Sequence, residues 1–168
     1  AHGLNLFGFR DAIGGKLSRE AQSFQEKKDV YSIAHLAQDE ELLSTMSVSL
    51  LSHANDQDEL NKLYCFLANH HVESPTDFFE GVRNLYVESH EGYQALCHAY
   101  QTAFVFKDEV LQRTLEDPFV GAAKDEDLLE SLFTFTESLS PFPESFKRRI
   151  EDENLDHADT YGGLRSLY

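Results

Sequence analysis

The sequence predicts an all-α fold, a single-domain bundle of about seven or eight helices. Three observations predict it. Apolar residues recur at helical spacing along almost the whole chain, acidic or Ser-Pro caps precede the apolar runs, and no Asn-Gly or Asp-Gly hairpin turn occurs. With 168 residues, 41 % of them hydrophobic, the chain is long enough to bury a substantial core.

The chain is predicted to have three parts. Residues 1–16 form a Gly-rich apolar N-terminal arm, because its four glycines disfavour a stable isolated helix. This arm is expected either to pack on the bundle or to dock into a partner or a second copy of the chain. Residues 17–155 form the helical bundle, and residues 156–168 form a polar C-terminal tail.

The starts of the helices in the first part of the chain, and of one later helix, are predicted from N-cap residues and from the apolar runs that follow them. Ser74-Pro75 is a helix start, with a Ser N-cap and a Pro at the first helical position. Acidic residues stand before three other apolar runs. These starts are Asp39-Glu40-Glu41 before Leu42, Leu43, Met46 and Leu50; Asp56 before Leu60, Leu63, Tyr64 and Leu67; and Asp125 before Leu128, Leu129 and Leu132. Such acids complement the positive end of a helix dipole.

The second half is predicted from stripes and prolines. A stripe from Tyr93 to Phe104 predicts one helix over about 88–106. A short helix over 108–115 is expected to end before Pro118, and Pro141 and Pro143 separate the last two helices. The segments 39–44 and 125–130 resemble each other at a distance of 86 residues. They indicate either a duplicated half or the common pattern of an amphipathic helix start.

Charge is the most informative functional feature. The formal net charge is −16, and residues 29–106 contain twelve acids against two basic residues, Lys62 and Arg83. A broadly negative surface repels nucleic acid and anionic membranes and attracts cationic partners. The cluster Lys147-Arg148-Arg149 is followed by acids, so direct nucleic-acid binding is not expected. No apolar run approaches the ~20 residues of a membrane span.

The leading hypothesis is an acidic helical interaction module that binds a basic protein and inhibits, chaperones or scaffolds it. Immunity proteins, antitoxins, secretion chaperones and nucleic-acid mimics work physically in this way. Helix dipoles explain most acid clusters, but they do not explain the shortage of basic residues over 29–106. The predicted partner-binding residues are Asp39, Glu40, Glu41, Asp56, Asp58 and Glu59, with Tyr31, Phe66 and Tyr86 as exposed aromatic anchors.

Two alternatives belong to other classes. A metal-binding bundle enzyme or sensor would use Glu88, Glu91 and His98 on one helical stripe, with His70 or His71 from another helix. Surface residues of an acidic helix explain the same pattern without metal. A self-associating structural subunit would instead use the apolar N-terminal arm to form a homo-oligomer.

No catalytic or cofactor motif is predicted, so an enzyme is not the expected class. Gly14-Gly15-Lys16 lacks the first glycine and the hydroxyl of a phosphate loop. Cys97 and His98 are neighbours on a helix and point about 100° apart. The two cysteines are lone residues without Cys-x-x-Cys spacing, which favours reduced thiols and a cytoplasmic location.

Overall fold

The computed structural model describes residues 6–69, 76–141 and 143–157. The all-α prediction is confirmed, because every regular element within these residues is a helix. The described part contains nine helices, against the seven or eight predicted. They are α1 (Leu6–Glu20), α2 (Phe24–Leu36), α3 (Glu40–Leu51), α4 (Gln57–Asn69), α5 (Thr76–Glu88), α6 (Tyr93–Val105), α7 (Glu109–Ala122), α8 (Glu126–Glu137) and α9 (Glu144–His157).

The helices separate into two compact units. The first unit comprises Ala1–Ser89 and contains α1 to α5, and the second comprises His90–Tyr168 and contains α6 to α9. Within the first unit α2 packs against α3 and α4 against α5, and within the second α6 packs against α7 and α8 against α9. The single bundle predicted over 17–155 is therefore built as two helical units in sequence.

The predicted N-terminal arm is helical from Leu6 onward, within α1. Helix α1 packs on α2 and α3, which supplies the stabilisation that glycine-rich helices lack on their own. Residues 1–5 and 158–168 lie outside the described residues, as does most of the predicted polar tail.

Two helix boundaries differ from the prediction. The helix predicted over 88–106 is interrupted at 89–92, where Gly92 has φ +83° and is followed by the start of α6. Such a φ is easy for glycine and ends a right-handed helix. Helix α7 continues through Pro118 to Ala122. Leu115, Phe119 and Val120 around this proline are buried, so burial outweighs the lost hydrogen bond.

A tight corner joins α2 to α3. Gln38 lies in the left-handed region with φ 52°, and its N–H donates to His35 O at 3.0 Å. The Asp39 N–H donates to Ala34 O at 2.9 Å, which completes a Schellman motif. The Asp39 carboxylate then accepts the Leu42 N–H at 3.0 Å and caps α3. One aspartate therefore ends one helix and begins the next.

The second unit repeats this corner 69 residues later. Lys107 has φ 57°, the Asp108 N–H donates to Ala103 O at 2.9 Å, and Asp108 accepts the Leu111 N–H at 3.1 Å. Asp56 and Asp125 correspond in the same way and cap α4 and α8. The 86-residue spacing of the sequence analysis is thus not the structural repeat, because it pairs the start of α3 with that of α8.

The two cores follow the same plan at the same spacing. Tyr31 meets Phe66 edge-on, with centroids 6.0 Å apart at 74°, and Tyr100 meets Phe135 at 6.2 Å and 77°. Further buried pairs share the 69-residue spacing: Ala34 with Ala103, Leu42 with Leu111, Met46 with Leu115, Leu50 with Phe119, Leu60 with Leu129 and Leu63 with Leu132. The α2–α5 and α6–α9 segments are therefore structural repeats, and α1 is an addition to the first.

Candidate functional site

An acidic cleft lies between α1 and α3 in the first unit. Its volume is about 140 Å³. Its lining residues are Gly14, Gly15, Ser18, Asp39, Glu41, Leu42 and Thr45. We call this site the acidic cleft. It places two of the predicted partner-binding residues, Asp39 and Glu41, on the wall of one depression.

Glycine makes the approach of α1 to α3 possible. A Cβ atom at Gly14 would lie 3.3 Å from Leu42 Cδ2 and 3.8 Å from Asp39 Oδ2. At Gly15 the added atom would meet nothing within 4 Å. The missing side chain at Gly14 therefore brings the α1 backbone onto the N-terminal turn of α3 and keeps the Asp39 side of the cleft open.

The electrostatics of the acidic cleft follow from the helix start. Asp39 is the N-cap of α3, and Glu40 and Glu41 lie in its first turn. Negative side chains at this position complement the partial positive charge of the helix end. Glu40 and Glu41 are exposed and Asp39 is half-buried. The cleft therefore presents negative charge to solvent at the capped start of α3.

Exposed apolar residues accompany these acids. Leu36 is 84 % exposed and stands at the end of α2, three residues before Asp39. Ile33, one turn earlier on α2, is also exposed. The equivalent of Leu36 in the second unit, Val105, is exposed as well. Sequence reasoning missed Leu36, although its position off the Val30 and Ala34 stripe predicts an outward side chain.

The other predicted acids lie elsewhere on the first unit. Asp56, Asp58 and Glu59 stand at the start of α4, beyond the opposite end of α3, roughly 18 Å along its axis from Asp39. Asp56 accepts the Glu59 N–H at 2.8 Å. Asp58 pairs with Lys62, and this hydrogen bond raises the pKa of the lysine. The six predicted acids therefore do not form one patch.

The predicted aromatic anchors are mostly core residues. Tyr31 is buried between Phe66 and Phe78, so the prediction that it is exposed is wrong. The same correction applies to Tyr86, which is buried and donates its hydroxyl to Asn61 Oδ1 at 3.1 Å. Both rings lie on the inward faces of their helices. Phe66 is half-buried and contacts Tyr31.

The predicted metal ligands do not share a helix. Glu88 ends α5, Glu91 lies in the following connection, and His98 lies on α6, because Gly92 interrupts the helix that would have aligned them. His70 and His71 lie outside the described residues. Within the part of the chain that the structure describes, no group of three or more His, Cys, Asp or Glu is placed to hold a metal ion.

The two thiols give no sign of activation. Cys65 and Cys97 are free, and partial burial raises the pKa of both. A raised pKa disfavours the nucleophilic thiolate. No membrane-crossing helix is found either, since none of the helices in the described ranges combines sufficient length with sufficient apolarity.

No protein-family model, no curated protein and no solved structure matches this chain. A functional proposal for this chain therefore has to start from its own charge and geometry. The acidic cleft and the exposed apolar residues at the same corner are the features that bear on it most directly.

Proposed function

We propose that this chain is a protein-interaction module that binds a basic protein and regulates it by inhibition, chaperoning or scaffolding. The observation that carries the proposal is the α2–α3 corner. It combines the acidic cleft, with Asp39 and Glu41 on its wall, and Leu36, a residue that is 84 % exposed.

A lysine or arginine side chain of the partner fits the cleft chemically. Its N–H groups would donate to the carboxylates of Asp39 and Glu41, and charge-assisted hydrogen bonds of this kind are the stronger ones. Leu36 would supply an apolar contact whose burial in the complex is favourable. The overall charge of −16 would steer the basic partner toward this surface before contact.

The few basic residues of 29–106 support this interpretation. The Lys62 ammonium pairs with Asp58 at the start of α4. The Arg83 guanidinium lies 3.9 Å from the centroid of the Phe79 ring. Each of these cations thus has a contact away from the α2–α3 corner. Glu40 and Glu41 are exposed at that corner, so an external cation can reach their carboxylates.

Paired variants test the proposal. The experiment is capture from native lysate, treated with nuclease and held at low salt, with the wild type and four variants as bait. Glu40→Gln/Glu41→Gln removes charge at the corner while the Asp39 cap stays in place, and Leu36→Ser removes the apolar contact. Matched controls are Asp58→Asn/Glu59→Gln, with the same charge change at α4, and Val105→Ser, at the equivalent position of the second unit.

The proposal expects one basic protein to be retained by the wild type and both controls, and to be lost with the Glu40/Glu41 and Leu36 variants. Equal retention by all five baits would contradict it. Loss with every variant of reduced charge would also contradict the assignment to the α2–α3 corner, because it would show that only total charge matters.

A further inference from the structure

A second cleft lies entirely within the second unit, between α6, α7 and the start of α9. Its volume is about 270 Å³. The lining residues that matter for its chemistry are Tyr100, Phe104, Gln112, Arg113, Glu116 and Ser145. This cleft, which we call the Glu116 cleft, has no part in the α2–α3 corner.

Glu116 is a buried carboxylate whose negative charge is only weakly balanced by its neighbours. Only 5 % of the residue is exposed. The Ser145 hydroxyl donates to Oε1 at 3.4 Å, and Arg149 Nη1 lies 3.7 Å from Oε2. Arg149 makes a closer pair with the exposed Asp117. Burial raises the pKa of Glu116 despite the opposing charge of Arg149. The carboxylate therefore retains acceptor capacity that its neighbours do not fill.

Tyr100 is a second under-satisfied group on the same cleft. The residue is fully buried, and its hydroxyl has no hydrogen-bond partner among the described residues. Burial raises its pKa, and the nearby negative charge of Glu116 raises it further. Buried hydroxyls are almost always hydrogen-bonded in native proteins. An unpartnered hydroxyl oxygen close to this carboxylate offers two acceptors to a ligand that brings hydrogen-bond donors.

The repeat shows that the fold does not require this acid. Ser47 occupies the equivalent position in the first unit, where it is also buried. Its hydroxyl donates to Leu43 O at 2.8 Å within its own helix. At this core position the first unit has a hydroxyl that is hydrogen-bonded within its own helix, whereas the second unit has a carboxyl group.

We propose that the Glu116 cleft binds an organic cation that bears an alkylammonium or guanidinium group. The Glu116 carboxylate would accept one N–H of the cation and the Tyr100 hydroxyl oxygen another, while Phe104 would contact its alkyl part. An ammonium group has three donors and no acceptor, which matches two acceptors in one cleft. A cation is favoured over an anion because two acidic residues, Glu109 and Glu116, line the cleft against one basic residue, Arg113.

Two sources could supply this cation, a free small amine or a lysine side chain of another protein. The test is a two-dimensional amide NMR titration of the whole chain with butylammonium chloride, against sodium chloride at equal ionic strength. A second arm uses a capped lysine-containing peptide and its alanine analogue. The variants are Glu116→Gln and Tyr100→Phe. Asp117→Asn is the matched control, because Asp117 is an exposed acid that follows Glu116 in the sequence.

The proposal expects saturable shifts confined to residues around the cleft in the wild type and in Asp117→Asn. Affinity should fall at least tenfold in Glu116→Gln and severalfold in Tyr100→Phe. Binding of butylammonium without the peptide identifies a small amine as the ligand, and binding of the peptide but not its analogue identifies a protein side chain.

Absence of saturable binding in both arms would overturn the proposal. Wild-type affinity in Glu116→Gln would also overturn it, as would an equal loss in Asp117→Asn. If Glu116→Gln fails to fold, Tyr100→Phe decides, because it removes a single atom that has no hydrogen-bond partner among the described residues. Unchanged affinity in that variant would contradict the site.

Discussion

Glu116 occupies in the second unit the position that Ser47 holds in the first, 69 residues earlier, and both residues are buried. The two units share helix order, corner geometry and aromatic contacts. They differ here in chemistry, since Ser47 bonds within its own helix and Glu116 brings a carboxylate into the core. This difference leads to the first prediction.

Glu116→Gln should stabilise the protein at neutral pH. The folded-state pKa of Glu116 is raised by burial, so between the unfolded value of about 4.3 and that raised value the folded state binds more protons. Stability is therefore lost as pH rises through this window. Glutamine keeps an acceptor for the Ser145 hydroxyl and cannot ionise. The variant therefore does not lose this stability as pH rises.

Urea denaturation at pH 7 and below about pH 4 measures this effect. The variant should exceed the wild type in free energy of unfolding at pH 7, and the difference should shrink toward the lower pH. A wild type as stable as the variant at pH 7 would show that Arg149 and Ser145 fully compensate the buried charge.

The two glycines of α1 should respond differently to alanine. Gly15→Ala should raise the free energy of unfolding by about 0.5–1 kcal/mol, because alanine is the better helix former and the new methyl group meets nothing within 4 Å. Gly14→Ala should gain less, since its Cβ would lie 3.3 Å from Leu42 Cδ2. Chemical denaturation of both variants checks this. An equal gain would mean that α1 does not pack on α3 as described.

The corner aspartates should matter as caps. Asp39→Ala and Asp108→Ala should each lower the free energy of unfolding by about 1 kcal/mol, because each exposes an unsatisfied N–H at a helix start. Asp39→Asn keeps the acceptor and removes the charge, so it should leave stability nearly unchanged. Thermal or urea denaturation distinguishes the three. An alanine variant as stable as the asparagine variant would contradict the capping role.

The helix starts were predictable from sequence because the signals are local. Asp39, Asp56 and Asp125 each accept the N–H of the residue three positions later, as the cap patterns predicted. The helix in the N-terminal arm was not predictable from propensity, because its stability comes from packing on α2 and α3. The same holds for the continuation of α7 through Pro118.

The 69-residue repeat is hard to see in the sequence because it consists of matching single positions and not of a contiguous segment. Tyr31 and Tyr100, or Leu42 and Leu111, match as single core positions, whereas the contiguous acid-leucine segments match at a spacing without structural meaning. The apolar stripes predicted from sequence do not include residues 24–36, so Tyr31 is predicted to be exposed although it is buried. The acids of the candidate site were predicted, but the acidic cleft was not, since it depends on the contact of α1 with α3.

If a basic protein binds at the α2–α3 corner, charge at that corner should govern how fast the two proteins associate. The decisive measurement is the association rate of the captured partner with purified wild type and Glu40→Gln/Glu41→Gln, from ~50 to ~500 mM salt. Screening beyond ~10 Å at 0.1 M should slow the wild-type association steeply as salt rises, and the variant should be slower at low salt and respond less. Rates that are independent of salt, or identical for the two proteins, would contradict the claim.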